Sequence, residues 1–149
     1  MANTDTPRFP VRILVVDDFE PWRQHICSLL QTRPELRVIA EVADGSEAVQ
    51  KAQELEPDLI LLDIGLPNLS GIEAAIRIRQ VAPDARIIFV TQNSDKEVVR
   101  KALSTGAQGY VLKTDAASEL FTAVAGVVGG DDFVSSGIEG DDSGETEGM

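Results

Sequence analysis

A short apolar segment followed by a longer segment of mixed apolar and polar residues occurs five times along this chain. Short apolar runs rich in β-branched residues are typical of strands, and longer segments with apolar residues at helical spacing are typical of amphipathic helices. The predicted strands cover residues 12–16, 37–42, 58–63, 86–90 and 109–112. The predicted helices follow them over about residues 21–32, 47–55, 70–83, 94–104 and 115–129.

Capping signals predict where two of these helices begin. Ser70 precedes Glu73 by three residues, and Ser94 precedes Glu97 by the same spacing. A hydroxyl three residues before a carboxylate forms a capping box, in which each side chain binds a free backbone N–H of the first helical turn. We therefore expect Ser70 and Ser94 to cap the third and fourth helices.

The order of elements predicts the fold class. Strands that alternate with helices form right-handed βαβ units, which build a parallel sheet covered on both faces. We expect one α/β domain over residues 11–130, with a doubly wound five-stranded parallel sheet between two helical layers. Residues 1–10 are predicted to be a flexible N-terminus. Residues 131–149 are acidic and rich in Gly and Ser, so we expect a disordered tail or a linker remnant.

Composition narrows the possible functions. The 149 residues suit one domain, and the net charge of −12 argues against binding nucleic acid or an anionic membrane surface. The single Cys27 excludes an internal disulfide and suggests a reducing compartment. With neither a signal peptide nor an apolar span in the sequence, we expect a cytoplasmic protein.

Four of the predicted strands run directly into polar residues that carry chemistry. Asp17 and Asp18 follow the first strand, Asp63 ends the third, Thr91 follows the fourth and Lys113 follows the fifth. In an open parallel sheet these groups meet at the carboxyl edge, where such folds bind ligands. Three crowded carboxylates repel one another unless a cation lies among them, and Mg²⁺ prefers such oxygen ligands. The lysine and the threonine indicate an anion bound beside the metal.

These residue types suit phosphoryl transfer. A carboxylate at a strand tip can act as a nucleophile and form an aspartyl phosphate. Asp63 is the candidate nucleophile because its strand lies in the middle of the set, while Lys113 and Thr91 would bind phosphoryl oxygens. Asp18 and Asp63 are the best direct metal ligands, and Asp17 would act through water. Trp22 is expected near the acidic pair, where its fluorescence should report Mg²⁺.

In these residues the chain resembles the receiver domain of two-component response regulators, over about residues 11–128. The resemblance rests on the Asp17-Asp18 pair, the segment from Asp63 to Gly71, Thr91, and the Tyr-Val-Leu-Lys segment that ends at Lys113. It implies a three-layer, flavodoxin-like (βα)5 fold and a signalling domain rather than an enzyme. It further implies that Asp63 accepts a phosphoryl group from a histidine kinase or phosphotransfer protein.

The resemblance also implies a metal site and a switch. Mg²⁺ (or Mn²⁺) would be held by the three aspartates and the backbone carbonyl of Gly65. After phosphorylation Thr91 would move onto the phosphoryl group, and Tyr110 would turn inward into the space it leaves. The face formed by helix four, strand five and helix five would then change, to control a downstream protein partner or a homodimer.

One subfamily is indicated by finer features. The turn from Ala43 to Ala48, and a residue other than proline after Lys113, are similar to the LuxR/NarL-type regulators, which usually carry a helix-turn-helix output domain. Only fifteen residues follow Val134, so we expect a receiver without that domain, either stand-alone or part of a longer regulator. Such a chain would not bind nucleic acid directly.

Two other functions stay open at this point. A Mg²⁺-dependent phosphatase with an aspartate nucleophile would need a second aspartate two positions later as general acid, but Gly65 stands there. A receiver-like scaffold that works without phosphorylation would need none of this chemistry, which the complete set of residues argues against. A nucleotide or flavin site is disfavoured because the acidic loop after the first strand would repel a phosphate.

Overall fold

Six strands and five α-helices alternate along residues 9–138, the part of the chain that this computed structural model describes. The strands are β1 (Val11–Val16), β2 (Leu36–Val42), β3 (Leu59–Leu62), β4 (Arg86–Thr91), β5 (Gly109–Leu112) and β6 (Phe133–Val134). The helices are α1 (Glu20–Leu30), α2 (Gly45–Leu55), α3 (Gly71–Val81), α4 (Lys96–Leu103) and α5 (Ala116–Val128). A 3₁₀ turn over Lys113–Asp115 joins β5 to α5.

The strands form one parallel sheet in the order β2-β1-β3-β4-β5-β6. The chain moves outward in one direction from β1 to β2 and in the other from β3 to β6, which confirms the doubly wound parallel arrangement. The reversal falls between β1 and β3, at the kind of position where these folds bind ligands. The carboxyl ends of β1, β3, β4 and β5 therefore lie along one edge.

Two apolar layers cover the faces of the sheet. One layer packs α2, α3 and α4 against it, and the other packs α1 and α5. Every residue of β3 is buried, as a strand covered on both faces requires. Cys27 is buried within the α1–α5 layer. Within residues 9–138, no helix is both long and apolar enough to cross a membrane.

The sheet has one strand more than we expected. After α5, Gly130 adopts a positive φ of 105°, and the chain turns back beside the free edge of β5. There Phe133 donates its N–H to the carbonyl of Gln108 at 3.0 Å, and Ser135 donates to that of Tyr110 at 2.8 Å. A two-residue strand inside an acidic, glycine-rich segment leaves no periodic signal in the sequence, which is why the count of five was wrong.

This added strand also corrects the predicted tail. Ser135 and Ile138 are buried, at 0% and 1% exposure, so disorder does not describe residues 131–138. Residues 139–149 of the predicted tail, and residues 1–8 of the predicted N-terminus, lie outside the described part of the chain.

Helix capping matches the sequence signal at one site and departs from it at another. The Ser70 hydroxyl accepts the N–H of Glu73 at 3.2 Å, which confirms the cap of α3. The cap of α4 is Asp95 rather than Ser94, because its carboxylate accepts the N–H groups of Glu97 and Val98 at 2.8 and 3.2 Å. Both side chains are good caps, but a carboxylate also gains from the positive end of the helix dipole.

Candidate functional site

The three aspartates converge at the carboxyl edge of the sheet. Val16 and Leu62 are register partners on adjacent strands, so the residues that follow them lie side by side. One carboxylate oxygen from each of Asp17, Asp18 and Asp63 lies within 4.8 Å of the other two. Asp17 and Asp63 are buried while Asp18 is exposed, so the cluster opens to solvent on the Asp18 side.

Lys113 reaches this cluster from the end of β5. Its Nζ lies 2.8 Å from Asp17 Oδ2 and 3.2 Å from Asp63 Oδ2. The ammonium also lies 5.3 Å from the centre of the Trp22 ring, within the range of a cation–π contact. Its single positive charge offsets only part of the charge on three carboxylates.

Burial, and to a smaller extent the charge of Asp63, affects the protonation of Asp17. Burial is the main cause of a raised pKa at this carboxyl, and the nearby Asp63 charge raises it further. The hydrogen bond from Lys113 and the N–H of Phe19, at 2.9 Å from Oδ1, act in the opposite direction. A group of hard oxygen donors that carries excess negative charge and is open to solvent on one side fits a divalent cation such as Mg²⁺.

Thr91 and Tyr110 lie on the far side of Asp63 and are linked by one loop residue. The Thr91 hydroxyl is buried and accepts the N–H of Asn93 at 3.3 Å. The Tyr110 hydroxyl donates to the carbonyl of the same Asn93 at 2.7 Å. The Tyr110 ring is fully buried, and this burial raises the pKa of its phenol above the ordinary value. The Tyr110 side chain therefore lies inside the protein, with its hydroxyl bonded to the loop that follows Thr91.

An open cleft of about 560 Å³ lies above Asp63. The side chain of Asp63 lines this cleft, so an incoming group can reach it there. Lining residues include Asp18, Phe19, Gly65, Thr91, Gln92 and Lys113. The structure therefore brings every residue of the sequence-predicted site to the cleft or directly behind it.

Comparison with known proteins identifies the family. Residues 13–125 match the model of the response regulator receiver domain. The chain belongs to this family of two-component signalling domains. Response regulators of such systems interact with histidine kinases, and a receiver is a signalling domain rather than a classical enzyme.

Sequence relatives of this receiver are LuxR-type regulators. The transcriptional regulatory protein LnrK of Bacillus subtilis is 39% identical over 120 residues, which cover 80% of this chain and 54% of the relative. LiaR of the same organism is 36% identical over 130 residues, which cover 87% of this chain and 62% of the relative. The receiver thus spans little more than half the length of these curated relatives.

Solved structures agree with the receiver fold. A LuxR-family two-component response regulator from Aurantimonas sp. SI85-9A1 has a TM-score of 0.86 and 36% identity, with coverage of 91% of this chain and 96% of that one. The response regulator domain of Thermotoga maritima CheB has a TM-score of 0.76 and 33% identity, with coverage of 81% and 98%. The predicted flavodoxin-like fold is confirmed.

Close backbone contacts position the loop that follows Asp63 in this receiver. A Cβ at Gly71 would lie 1.9 Å from the Asp63 carbonyl oxygen, so the start of α3 approaches the end of β3 as only glycine allows. A Cβ at Gly45 would lie 1.8 Å from the Leu69 carbonyl oxygen, which brings α2 against the same loop. Glycines before predicted helices were visible in the sequence, but their contacts were not.

The sequence analysis also missed Arg23 and Asn93. Arg23 donates to the backbone carbonyl of Asp17 at 2.7 Å and pairs with Glu41 at 3.1 Å, which holds the acidic loop in place. Asn93 acts through its backbone, so no pattern of side chains could reveal it. An arginine on the first turns of α1, one turn after the acidic pair, was the available signal for Arg23.

Proposed function

We propose that Asp63 of this receiver accepts a phosphoryl group from a histidine kinase or a phosphotransfer protein. The observation that carries the proposal is the setting of its carboxylate. Oδ2 lies 3.2 Å from Lys113 Nζ, at the base of an open cleft, with two further carboxylates within 4.8 Å. Such a site combines a nucleophile, a cationic side chain and hard oxygen ligands, which are the requirements of phosphoryl transfer.

In the reaction a carboxylate oxygen of Asp63 attacks the phosphorus of a phosphohistidine. The new P–O bond makes an acyl phosphate while the P–N bond breaks, and the leaving imidazole nitrogen takes a proton from solvent. In this proposal Lys113, whose Nζ lies 3.2 Å from Asp63 Oδ2, binds one phosphoryl oxygen, and the hydroxyl of Thr91, which lines the same cleft, binds another after a local shift. Both contacts place positive charge or a donor where negative charge accumulates.

We further propose that Asp17, Asp18, Asp63 and the Gly65 carbonyl hold Mg²⁺, or Mn²⁺ in its place. The acidic cluster and the position of Gly65 on the cleft wall support this assignment. When bound, the ion supplies charge that offsets the repulsion between the carboxylates and an incoming phosphoryl group.

The acyl phosphate then acts as a switch in this proposal. Phosphorylation adds charge and acceptor oxygens beside Thr91, whose hydroxyl bonds the loop residue that also binds Tyr110. A shift of this loop changes the α4–β5–α5 face, which controls a protein partner, a homodimer or a transcriptional output. Two relatives, LnrK and LiaR, are named as transcriptional regulatory proteins, which supports the last of these.

Intact mass after incubation with acetyl phosphate and Mg²⁺ tests the proposal. We expect the wild type to gain one phosphoryl group and Asp63→Asn to gain none. Asp84→Asn is the matched control, because Asp84 is an exposed carboxylate that precedes β4 at the opposite edge of the sheet. Equal gain by Asp63→Asn, or no gain by a folded wild type, would overturn the proposal. Steady turnover of an added phosphomonoester would favour the phosphatase alternative instead.

A further inference from the structure

Residues 133–138, here termed the edge segment, cover the flank of β5. Without them β5 would be the last strand of the sheet, and one side of its backbone would face water. The edge segment pairs Phe133 with Gly109 and Val134 with Tyr110 in parallel register. It then continues past the end of β6, and Ser135 donates its N–H to the Tyr110 carbonyl at 2.8 Å.

Ser135 anchors the edge segment on the α5 side. Its side chain is fully buried, and its Oγ accepts the N–H of Leu112 at 3.2 Å. The same hydroxyl lies 2.6 Å from Asp115 Oδ2 and 2.9 Å from Glu119 Oε1, so its one proton is donated to either carboxylate. Glu119 also accepts the backbone N–H of Ser136 at 3.2 Å.

Ile138 anchors the edge segment on the opposite side of the sheet. It is 1% exposed and belongs to the apolar layer that contains Tyr110, together with Val99 and Ala102 of α4. The segment therefore crosses the sheet edge and contacts both helical layers. The Tyr110 ring lies in this same layer and is fully buried.

A continuous set of hydrogen bonds leads from the edge segment to the phosphoacceptor site. Ser135 binds the Tyr110 carbonyl, the Tyr110 hydroxyl binds the Asn93 carbonyl at 2.7 Å, and the Asn93 N–H binds the Thr91 hydroxyl at 3.3 Å. The Ser135 hydroxyl of the same segment accepts the N–H of Leu112, the residue before Lys113. Thr91 and Lys113, the side chains proposed to bind the phosphoryl group, are thus both linked to the docking of the edge segment.

We propose that Ser135 and Ile138 are positioning residues, which hold Tyr110 in its buried position and through it the loop that follows Thr91. This inference rests on the proposed function, in which Thr91, bonded to the same loop residue as Tyr110, binds the phosphoryl group. Docking of the edge segment then favours the conformation that binds a phosphoryl group. By linkage, loosening the segment weakens phosphoryl binding, and phosphoryl binding tightens the segment.

Chemical nitration of Tyr110 tests the first half of the inference without metal or phosphate. Tyr110 is the only tyrosine in the sequence, so nitrotyrosine formed by tetranitromethane and located by peptide mass mapping reports the exposure of its phenol separately from any reaction at Trp22 or Cys27. We expect slow nitration of the wild type and at least fivefold faster nitration of Ile138→Ser and Ser135→Ala, on the order of the coupling found between linked sites. Ile138→Val should keep the wild-type rate, as should Ser28→Ala, a change at an exposed serine of α1. Equal nitration of all folded variants would overturn the inference.

Binding of beryllofluoride with Mg²⁺, followed by the fluorescence of the single Trp22, tests the second half. We expect Ile138→Ser to weaken binding at least about fivefold, the lower end of typical coupling between sites. Tyr110→Phe, which removes the hydroxyl bond to Asn93, should weaken it similarly. The double variant should be no weaker than Tyr110→Phe alone, because both changes break the same connection.

The outcomes separate the two proposals. Penalties that multiply in the double variant, or unchanged binding by Ile138→Ser despite faster nitration, would overturn the positioning role. Failure of the wild type to bind beryllofluoride would overturn the proposed function. The nitration rates alone would then decide whether the edge segment holds Tyr110.

Discussion

The buried carboxylate of Asp17, which suits a metal site, lowers the stability of the folded protein. Burial, the main cause, and the neighbouring Asp63 raise the pKa of this carboxyl above its ordinary value of 3.8. The ionised form is therefore less favourable in the folded chain than in the unfolded one, and it destabilises the native state at neutral pH. That destabilisation declines as the pH falls through the folded-state pKa towards 3.8.

Asp17→Asn should consequently stabilise the protein at neutral pH without Mg²⁺. We expect a higher midpoint of thermal unfolding than for the wild type in EDTA, and a difference that shrinks as the pH is lowered towards 3.8. Circular dichroism melts over a pH series measure this. Asp84→Asn, at an exposed carboxylate, should show no such trend, and a lower midpoint for Asp17→Asn at pH 7 would contradict the argument.

At the scale of elements, the contact between β3 and α3 sets the geometry of the phosphoacceptor loop. Gly71 donates its N–H to the Ile64 carbonyl at 2.7 Å, and its Cα lies against the Asp63 backbone with no room for a side chain. Ser70, the residue before Gly71, caps the N-terminus of α3. The loop from Ile64 to Leu69 is therefore held at both ends, with Gly65 on the cleft wall.

Gly71→Ala should be costly for this reason. The added Cβ would overlap the Asp63 carbonyl, and overpacking of this kind costs about 1–3 kcal/mol of unfolding free energy. Gly126→Ala is the matched control, since a Cβ there meets nothing within 4 Å inside α5. It should stabilise by about 0.5–1 kcal/mol, the usual gain of alanine over glycine in a helix. Urea unfolding measures both, and equal effects would contradict the close-contact argument.

At the scale of the whole molecule, a net charge of −12 is combined with an acidic cluster at one end of the sheet. Cations can stabilise such a chain in two ways, by general screening or by binding at the cluster. Screening depends on ionic strength, whereas binding depends on the concentration of a particular ion relative to its dissociation constant.

Mg²⁺ should stabilise the wild type by binding. At ten times its dissociation constant we expect about 1.4 kcal/mol of added unfolding free energy, reversed by EDTA. NaCl of equal ionic strength should give a smaller gain, and Asp18→Asn should respond to both salts alike. Thermal unfolding in matched buffers measures the difference. An equal response of wild type and Asp18→Asn to Mg²⁺ would argue against a site at the cluster.

Much of this molecule follows from local sequence signals. Apolar runs that end in Asp63, Thr91 and Lys113 predict strands with chemistry at their carboxyl ends, and alternation with helices predicts the parallel order. Because parallel strands end at one edge, the convergence of the aspartates with Lys113 could be expected before any contact was known. Local patterns suffice here because strand periodicity and chain direction are properties of short segments.

Tertiary structure alone decided the remaining features. Ser135 and Ile138 lie in a segment without periodicity, and their burial depends on the free edge of β5 and on both helical layers. The need for glycine at position 71 depends on how closely α3 approaches β3, and the link through Asn93 uses backbone atoms that every residue has. The sequence by itself determined which groups meet at the sheet edge. How tightly they are held depends on contacts between distant segments, which no local pattern encodes.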